Sequence, residues 1–194
     1  MMAKPLALAI DIGGTKIKAG LIDIDGGLSS LKRLATPAQS PPEHIVSQVV
    51  ELVHEICAEN RLAIDDLRGI GISIAAFISA HGLVVASAHL SQKWIGFDLG
   101  TPLRQKFATE FYFALDAPAP ALGEAYYGAG KGLEHFAYVT VSTGIGAGMF
   151  LGGEYYTGGL GWAGGVGHTI IDEMSPRICH GCGNAGCLET FAAT

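Results

Sequence analysis

Charge is scarce in this chain. Lysine and arginine number 12 and aspartate and glutamate 18, only 15% of 194 residues, whereas hydrophobic residues make up 49%. That balance excludes a disordered polyelectrolyte and fits a globular chain burying the core of one large domain or two small ones. The net charge of −6 argues against nucleic acid and anionic membranes, so neither partner is expected. Long apolar runs are lacking too. The longest, "GIGISIAAFISA", falls short of a membrane span and reads as a buried strand with its continuation. The opening "MMAKPLALAIDIGGTK" breaks its short apolar run at Asp11 without a small-residue cleavage site. It reads as a strand rather than a signal peptide, and a cytoplasmic location is expected. Cysteines number four, which excludes a disulfide scaffold and, in a reducing compartment, favours metal ligation where thiols cluster.

What is present alternates strand and helix signals. "LALAIDI" is a buried strand, and "KIKAGLIDIDGGLSSLKRLAT" reads as two more joined at the "DGG" turn. After Pro41 and Pro42, the residues Ile45, Val49, Leu52, Val53 and Ile56 recur at helical spacing and predict an amphipathic helix. A strand in "LRGIGISIAAF", a short helix in "TPLRQKFATEF", a strand in "FYFALDA" and a helix in "ALGEAYYGAGKG" follow. Strand signals then restart in "HFAYVTVSTGIGAGMFLGGEYYTGG". Two domains of related plan are therefore expected, 1–132 and 133–194, with the boundary around residues 131 to 135.

Two glycine turns and one acid carry chemistry. "DIGGT" follows the first strand, where Gly13 and Gly14 expose backbone N–H groups beside the hydroxyl of Thr15 and the charge of Lys16. An isolated "GG" is usually an ordinary hairpin turn. A second loop, "STGIGAG" at 142–148, again follows a strand, with Ser142, Thr143 and a run of glycine N–H groups. Its glycine spacing and the strand after it exclude a dinucleotide fingerprint. Two such turns, each opening a related domain, suggest a cleft clamping polyphosphate. Asp116 ends an apolar strand and is either a general base or a cap for the helix that starts near Pro118.

Cys179, Cys182 and Cys187 are spaced C-x2-C-x4-C among Gly181, Gly183 and Gly186. Structural zinc takes four ligands, and His168 completes a Cys3His set better than His180, which adjoins a ligand. Unligated thiols are the less favoured reading. Cys57 is a small core residue.

Together these motifs resemble the ROK family of repressors, open reading frames and kinases, from about residue 6 to the last residue. "AIDIGGTK" (Ala9, Ile10, Asp11, Ile12, Gly13, Gly14, Thr15 and Lys16) is similar to the family's first phosphate loop. "VSTGIGAG" (Val141, Ser142, Thr143, Gly144, Ile145, Gly146, Ala147 and Gly148) is similar to its second. "LDAPAPALGE" stands at the catalytic Asn-Asp, and "CHGCGNAGCLE" resembles the zinc signature CxCGxxGCxE with one extra residue. The resemblance implies a two-domain actin/hexokinase-like, ribonuclease H-like α/β fold, the second domain incomplete and carrying a zinc-bound loop. It implies ATP with Mg²⁺, a structural Zn²⁺, a sugar substrate deprotonated by Asp116, and sugar contacts from His168, Glu189 and His89. "TVSTGIGAG", "TPAQSPPE" and "GGLGWAGGVGHTIID" most resemble bacterial N-acetylmannosamine kinases, which implies phosphorylation of that sugar to its 6-phosphate.

Three departures stand out. Leu115 replaces the sugar-binding asparagine, His89 stands where the family has Asn-Leu, and Gly165 replaces the glutamate of ExGH. A glucose-type hexokinase is an alternative that Gly165 disfavours. A degenerate sugar-binding fragment is another. A sugar-sensing repressor is disfavoured, because the sequence opens directly on a strand rather than a helix-turn-helix. Ending at "LETFAAT" leaves the second domain short of the strands that close its sheet, so an open edge, an exposed Phe191, weak activity alone and homo-oligomers such as dimers are expected. Removing zinc is expected to weaken sugar binding more than nucleotide binding, because the phosphate turns lie elsewhere in the sequence.

Overall fold

The computed structural model describes residues 4–36, 40–87, 90–116, 118–159 and 163–193. The mixed α/β chain divides into two compact units, Met1–Asp116 and Ala117–Thr194.

In the first unit β1 (Leu6–Ile12), β2 (Lys16–Asp23) and β3 (Leu28–Ala35) form an antiparallel meander. Helix α1 (Pro42–Asn60) then crosses to β4 (Leu67–Ile74), which lies parallel to β1. A small hairpin of β5 (Phe77–Ile78) and β6 (Val84–Ala86) and the helix α2 (Gly100–Lys106) lead to β7 (Phe111–Leu115), parallel to β4. The sheet order is β3-β2-β1-β4-β7.

The packing follows from two periodicities. Strand alternation sends Leu8, Ile10 and Ile12 of β1, with Ile70, Ile72 and Ile74 of β4, into one core. The apolar stripe of α1, including Val49, Val53 and Ile56, enters the same core. Burying such a side chain stabilises by roughly 1.5–3 kcal/mol. The stripe stops where the helix does. Arg61 takes a left-handed conformation (φ 56°) and donates its N–H to the Ala58 carbonyl, while Leu62 donates to Cys57, satisfying end carbonyls. The same alternation directs the intervening residues Asp11, Lys18 and Ser73 to the opposite face of the sheet.

The second unit begins with helix α3 (Pro118–Tyr127), which packs on β8 (Phe136–Val141) and β9 (Ile145–Leu151); β10 (Glu154–Tyr156) completes an antiparallel meander. Phe136 and Phe150 stack with centroids 4.9 Å apart, and Tyr155 meets Phe150 edge-on. A 3₁₀ turn (Val166–His168), a long irregular loop and the short helix α4 (Glu189–Ala192) follow.

Several sequence boundaries move. The units divide after Asp116 rather than around 131–135, because α3 buries Pro118 and Ala121 and packs against β8 and β9. Helix α2 stops at Lys106, short of the expected "TPLRQKFATEF", because Phe107 turns extended and buries its ring in the core. Helix α3 runs Pro118–Tyr127, starting before the expected "ALGEAYYGAGKG" and at the Pro118 start that the capping alternative for Asp116 supposed. Phe191 is 40% exposed. Among the described residues no helix is long and apolar enough to cross a membrane.

Candidate active site and metal cluster

In the first unit the chemistry gathers at the carboxyl ends of parallel strands, where open α/β sheets bind ligands. Asp11, near the end of β1, stands in register with Ser73 of β4 and Lys18 of β2. Its carboxylate accepts a 2.8 Å hydrogen bond from the Ser73 hydroxyl and is 3.3 Å from the Lys18 ammonium. One side of the acid is thus held by a neutral donor and the other by a cation.

The turn that follows is Gly13–Thr15, and it is pinned. Gly13 donates its N–H to the Lys16 carbonyl (3.0 Å), and Thr36 donates its N–H to the Thr15 carbonyl (3.0 Å). The Thr36 hydroxyl also donates to the Gly13 carbonyl at 2.8 Å, and Thr36 is buried. Of the eight residues expected in this loop, Ala9 to Ile12 belong to β1 and Lys16 opens β2. Two ladder bonds extend past the strands, from Ala75 N–H to the Ile12 carbonyl and from Asp116 N–H to the Ile74 carbonyl. Asp116 is therefore an exposed acid at the carboxyl end of β7, with β4 between it and β1. It lies two residues before the first residue of α3. Leu115, next to it, pairs with Ile74.

In the second unit the turn is shorter than its sequence implies. Ile145 to Gly148 lie in β9, with Gly146 and Gly148 opposite Thr140 and Tyr138 of β8. Ser142 donates its N–H to the Gly144 carbonyl, Ile145 donates to Glu189 and Ala147 donates to the Gly164 carbonyl. The expected run of glycine N–H groups shrinks to the turn Ser142–Gly144, since strand pairing claims the rest.

His168, Cys179, Cys182 and Cys187 converge, with their ligand atoms all within 4.8 Å of one another. Cys179 Sγ lies 3.5 Å from His168 Nδ1 and Cys182 Sγ lies 3.4 Å from Cys187 Sγ. A tetrahedral zinc ion would put S···N at about 3.5 Å and S···S at about 3.8 Å, so the four donors fit that ion. The glycines make the convergence sterically possible. A Cβ on Gly181 would lie 2.8 Å from the His168 ring, and Gly186, at φ 73°, would drive a Cβ into the Asp172 carbonyl. Burial pushes the Cys187 thiol up to about 12 and also raises Cys179. Burial opposes ionisation at Cys182 as well, but the Asn184 N–H and the Cys187 thiol hold its pKa below the ordinary value. A divalent cation offsets that cost by stabilising thiolates. His180 is not part of the convergent set.

Glu189 joins the cluster from α4. Its Oε2 accepts the Ile145 N–H at 2.9 Å, and its Oε1 is 3.5 Å from Cys179 Sγ. Gly165 sits just before the 3₁₀ turn with φ −72°, and a Cβ there would meet only His168 Cδ2, at 3.9 Å. Its backbone therefore does not require glycine. His89 lies outside the described residues. Sequence reading missed Ser73, Thr36 and Arg177. Ser73 is legible as a polar break in the apolar "GIGISI". Thr36 leaves no local signal. Arg177, two residues before Cys179, donates to the Thr190 carbonyl at 3.0 Å and lies over the Phe191 ring.

The sequence pattern of the ROK family matches residues 7–194. The N-acetylmannosamine kinase of Escherichia fergusonii is 35% identical over 96% of this chain and 60% of its own length. A ROK family glucokinase from Streptomyces griseus, solved with glucose and AMPPNP, superposes with a TM-score of 0.82 at 30% identity, covering 97% of this chain and 57% of its own. A ROK hexokinase from Thermus thermophilus gives a TM-score of 0.80 at 31% identity, covering 97% and 60%. The chain thus spans about 60% of the length of such relatives and shares the mixed α/β, actin/hexokinase-like fold of ROK sugar kinases.

Proposed function

This chain belongs to the ROK family, and on that premise we propose that its residues serve an ATP-dependent sugar kinase acting on N-acetylmannosamine. The observation that carries the reading is Asp116, an exposed carboxylate at the carboxyl end of β7, at the same end of the sheet as Asp11 and the pinned Gly13–Thr15 turn. ATP supplies the phosphoryl group and Mg²⁺ neutralises its charge when they are bound. Asp11, steadied by Ser73, is the acid suited to a hydrated cation, and the Gly13–Thr15 and Ser142–Gly144 turns are the backbone suited to phosphate oxygens. Asp116 takes the proton from the attacking sugar hydroxyl as its oxygen bonds to the γ-phosphorus, while the bond from that phosphorus to the bridging oxygen breaks and ADP leaves. His168 and Glu189 hold the sugar, with His168, Cys179, Cys182 and Cys187 holding a structural zinc ion.

N-acetylmannosamine is preferred because of the likeness to its kinases and because Gly165 carries no carboxylate. Glucose is the second reading, favoured by the superposition on the glucokinase and hexokinase. An ADP-release assay over both sugars, with calorimetric sugar binding alongside, tests the assignment. Asp116→Asn should lower turnover about 10²- to 10⁴-fold while sugar and ATP still bind. Turnover retained in Asp116→Asn would remove Asp116 from the chemistry, and a preference for glucose would replace the substrate.

A further inference from the structure

Glu189 is placed to do more than meet a sugar. It is half-buried, and each of its oxygens faces a different segment of the second unit. Oε2 accepts the N–H of Ile145, the residue that closes the Ser142–Gly144 turn and opens β9. Oε1 faces the metal cluster, 3.5 Å from Cys179 Sγ and beside Gly181, where a Cβ would approach it to 3.3 Å. The backbone of the cluster holds the carboxylate's own helix as well: Leu188 N–H donates to Thr169, Thr190 N–H donates to Cys187, and Arg177 donates to the Thr190 carbonyl. Ile145 is 6% exposed, so its N–H lacks easy access to water as a substitute acceptor.

The geometry points to Glu189 as a positioning residue that ties the glycine turn at 142–144 to the metal cluster, so that ordering of the cysteine loop sets the backbone of the turn. This deepens the zinc part of the function proposed above. The cysteine loop has little apolar burial of its own, and its ordering is what holds Glu189 at a fixed distance from Ile145. Loss of the metal then reaches the phosphate-type turn through one carboxylate. The two features are far apart in sequence, which makes nucleotide binding look independent of zinc; in the folded unit a single hydrogen bond joins them. Zinc removal should therefore weaken nucleotide binding along with sugar binding.

Amide hydrogen exchange at Ile145, with zinc content measured in parallel, tests this without sugar or nucleotide. In the zinc-loaded chain the Ile145 amide should exchange slowly, and chelation should speed it about ten- to hundredfold, the factor for an N–H donated to a charged acceptor. Glu189→Ala should give the fast rate with or without zinc while still binding about one zinc per chain, because the four ligands are untouched. Glu189→Gln, which keeps an acceptor oxygen, should restore most of the protection. Slow exchange at Ile145 in zinc-replete Glu189→Ala overturns the coupling, as does slow exchange after chelation has loosened residues 179–187. A chain that binds no zinc, with Ile145 still dependent on Glu189, overturns the metal arm and the zinc reading together but leaves the kinase assignment to its own assay.

Discussion

Both units contain a three-stranded antiparallel meander, which opens the first and follows α3 in the second, and they stabilise themselves differently. In Met1–Asp116 the first strand is flanked on both sides, by β2 and by the parallel β4, and α1 seals the sheet with a continuous apolar stripe. In Ala117–Thr194 the corresponding strand β8 has β9 as its partner among the described residues, and Val139 and Val141 remain 53% and 58% exposed. The cysteine loop after it buries Cys179 and Cys187 but no large aliphatic side chain. It is held instead by backbone bonds such as Cys179 N–H to Asn184, Gly183 N–H to Cys179 and Gly186 N–H to Arg177. One unit is ordered by apolar burial, which is distributed over many side chains. The other depends on a few directional contacts around His168, Cys179, Cys182 and Cys187, so it is open to failure at single points.

If the proposed zinc is bound, its removal should separate the units most sharply. Structural zinc sites in small peptides are worth about 10–16 kcal/mol of apparent binding free energy. Chelation, or Cys182→Ser, should therefore abolish exchange protection over residues 165–189 and leave amides of β1 and β4 protected. Equal loss in both units would show that the metal cluster supports the whole chain.

The converse experiment acts on the first unit. Ile70 is fully buried in the interior strand β4, and Ile70→Ala should cost about 2–5 kcal/mol through lost burial and the cavity left behind. Denaturant unfolding followed by exchange should show that loss in the first unit, with zinc stoichiometry unchanged. A zinc-binding defect in Ile70→Ala would show that the two units are not stabilised independently.

The smallest contrast lies within the cysteine-loop region. Gly186→Ala places a side chain at φ 73° against the Asp172 carbonyl and should cost about 1–3 kcal/mol with weaker zinc retention. Gly165→Ala, at φ −72° with only an ordinary contact to His168 Cδ2 at 3.9 Å, should be neutral or stabilise by about 0.4–1 kcal/mol. Thermal melts of the two zinc-loaded variants decide the matter, and similar shifts would mean that backbone conformation is not what the loop glycines supply.

Much of this protein is written locally. The apolar recurrence from Ile45 to Ile56 specifies α1, because one helical stripe must be buried. The run in "LALAIDI" specifies a buried strand, and the C-x2-C-x4-C spacing with its glycines specifies a cluster that His168 joins. Local pattern also misleads where a neighbour in space outweighs it. The glycines of "STGIGAG" read as a long open loop, yet pairing with β8 draws Ile145 to Gly148 into a strand. Helix α3 reads as the end of the first unit, yet it packs on β8 and β9 of the second.

What the tertiary structure alone decided is which polar groups meet. Ser73 reaches Asp11 only because β4 lies in register beside β1, Thr36 pins the Gly13 turn only because the meander returns there, and Ile145 finds Glu189 only when the cysteine loop folds back onto β9. Burial leaves a periodic trace in sequence because it acts on every residue of a helix or strand face. A single hydrogen bond between distant segments leaves none, since it depends on register and loop closure rather than on the residues flanking either partner.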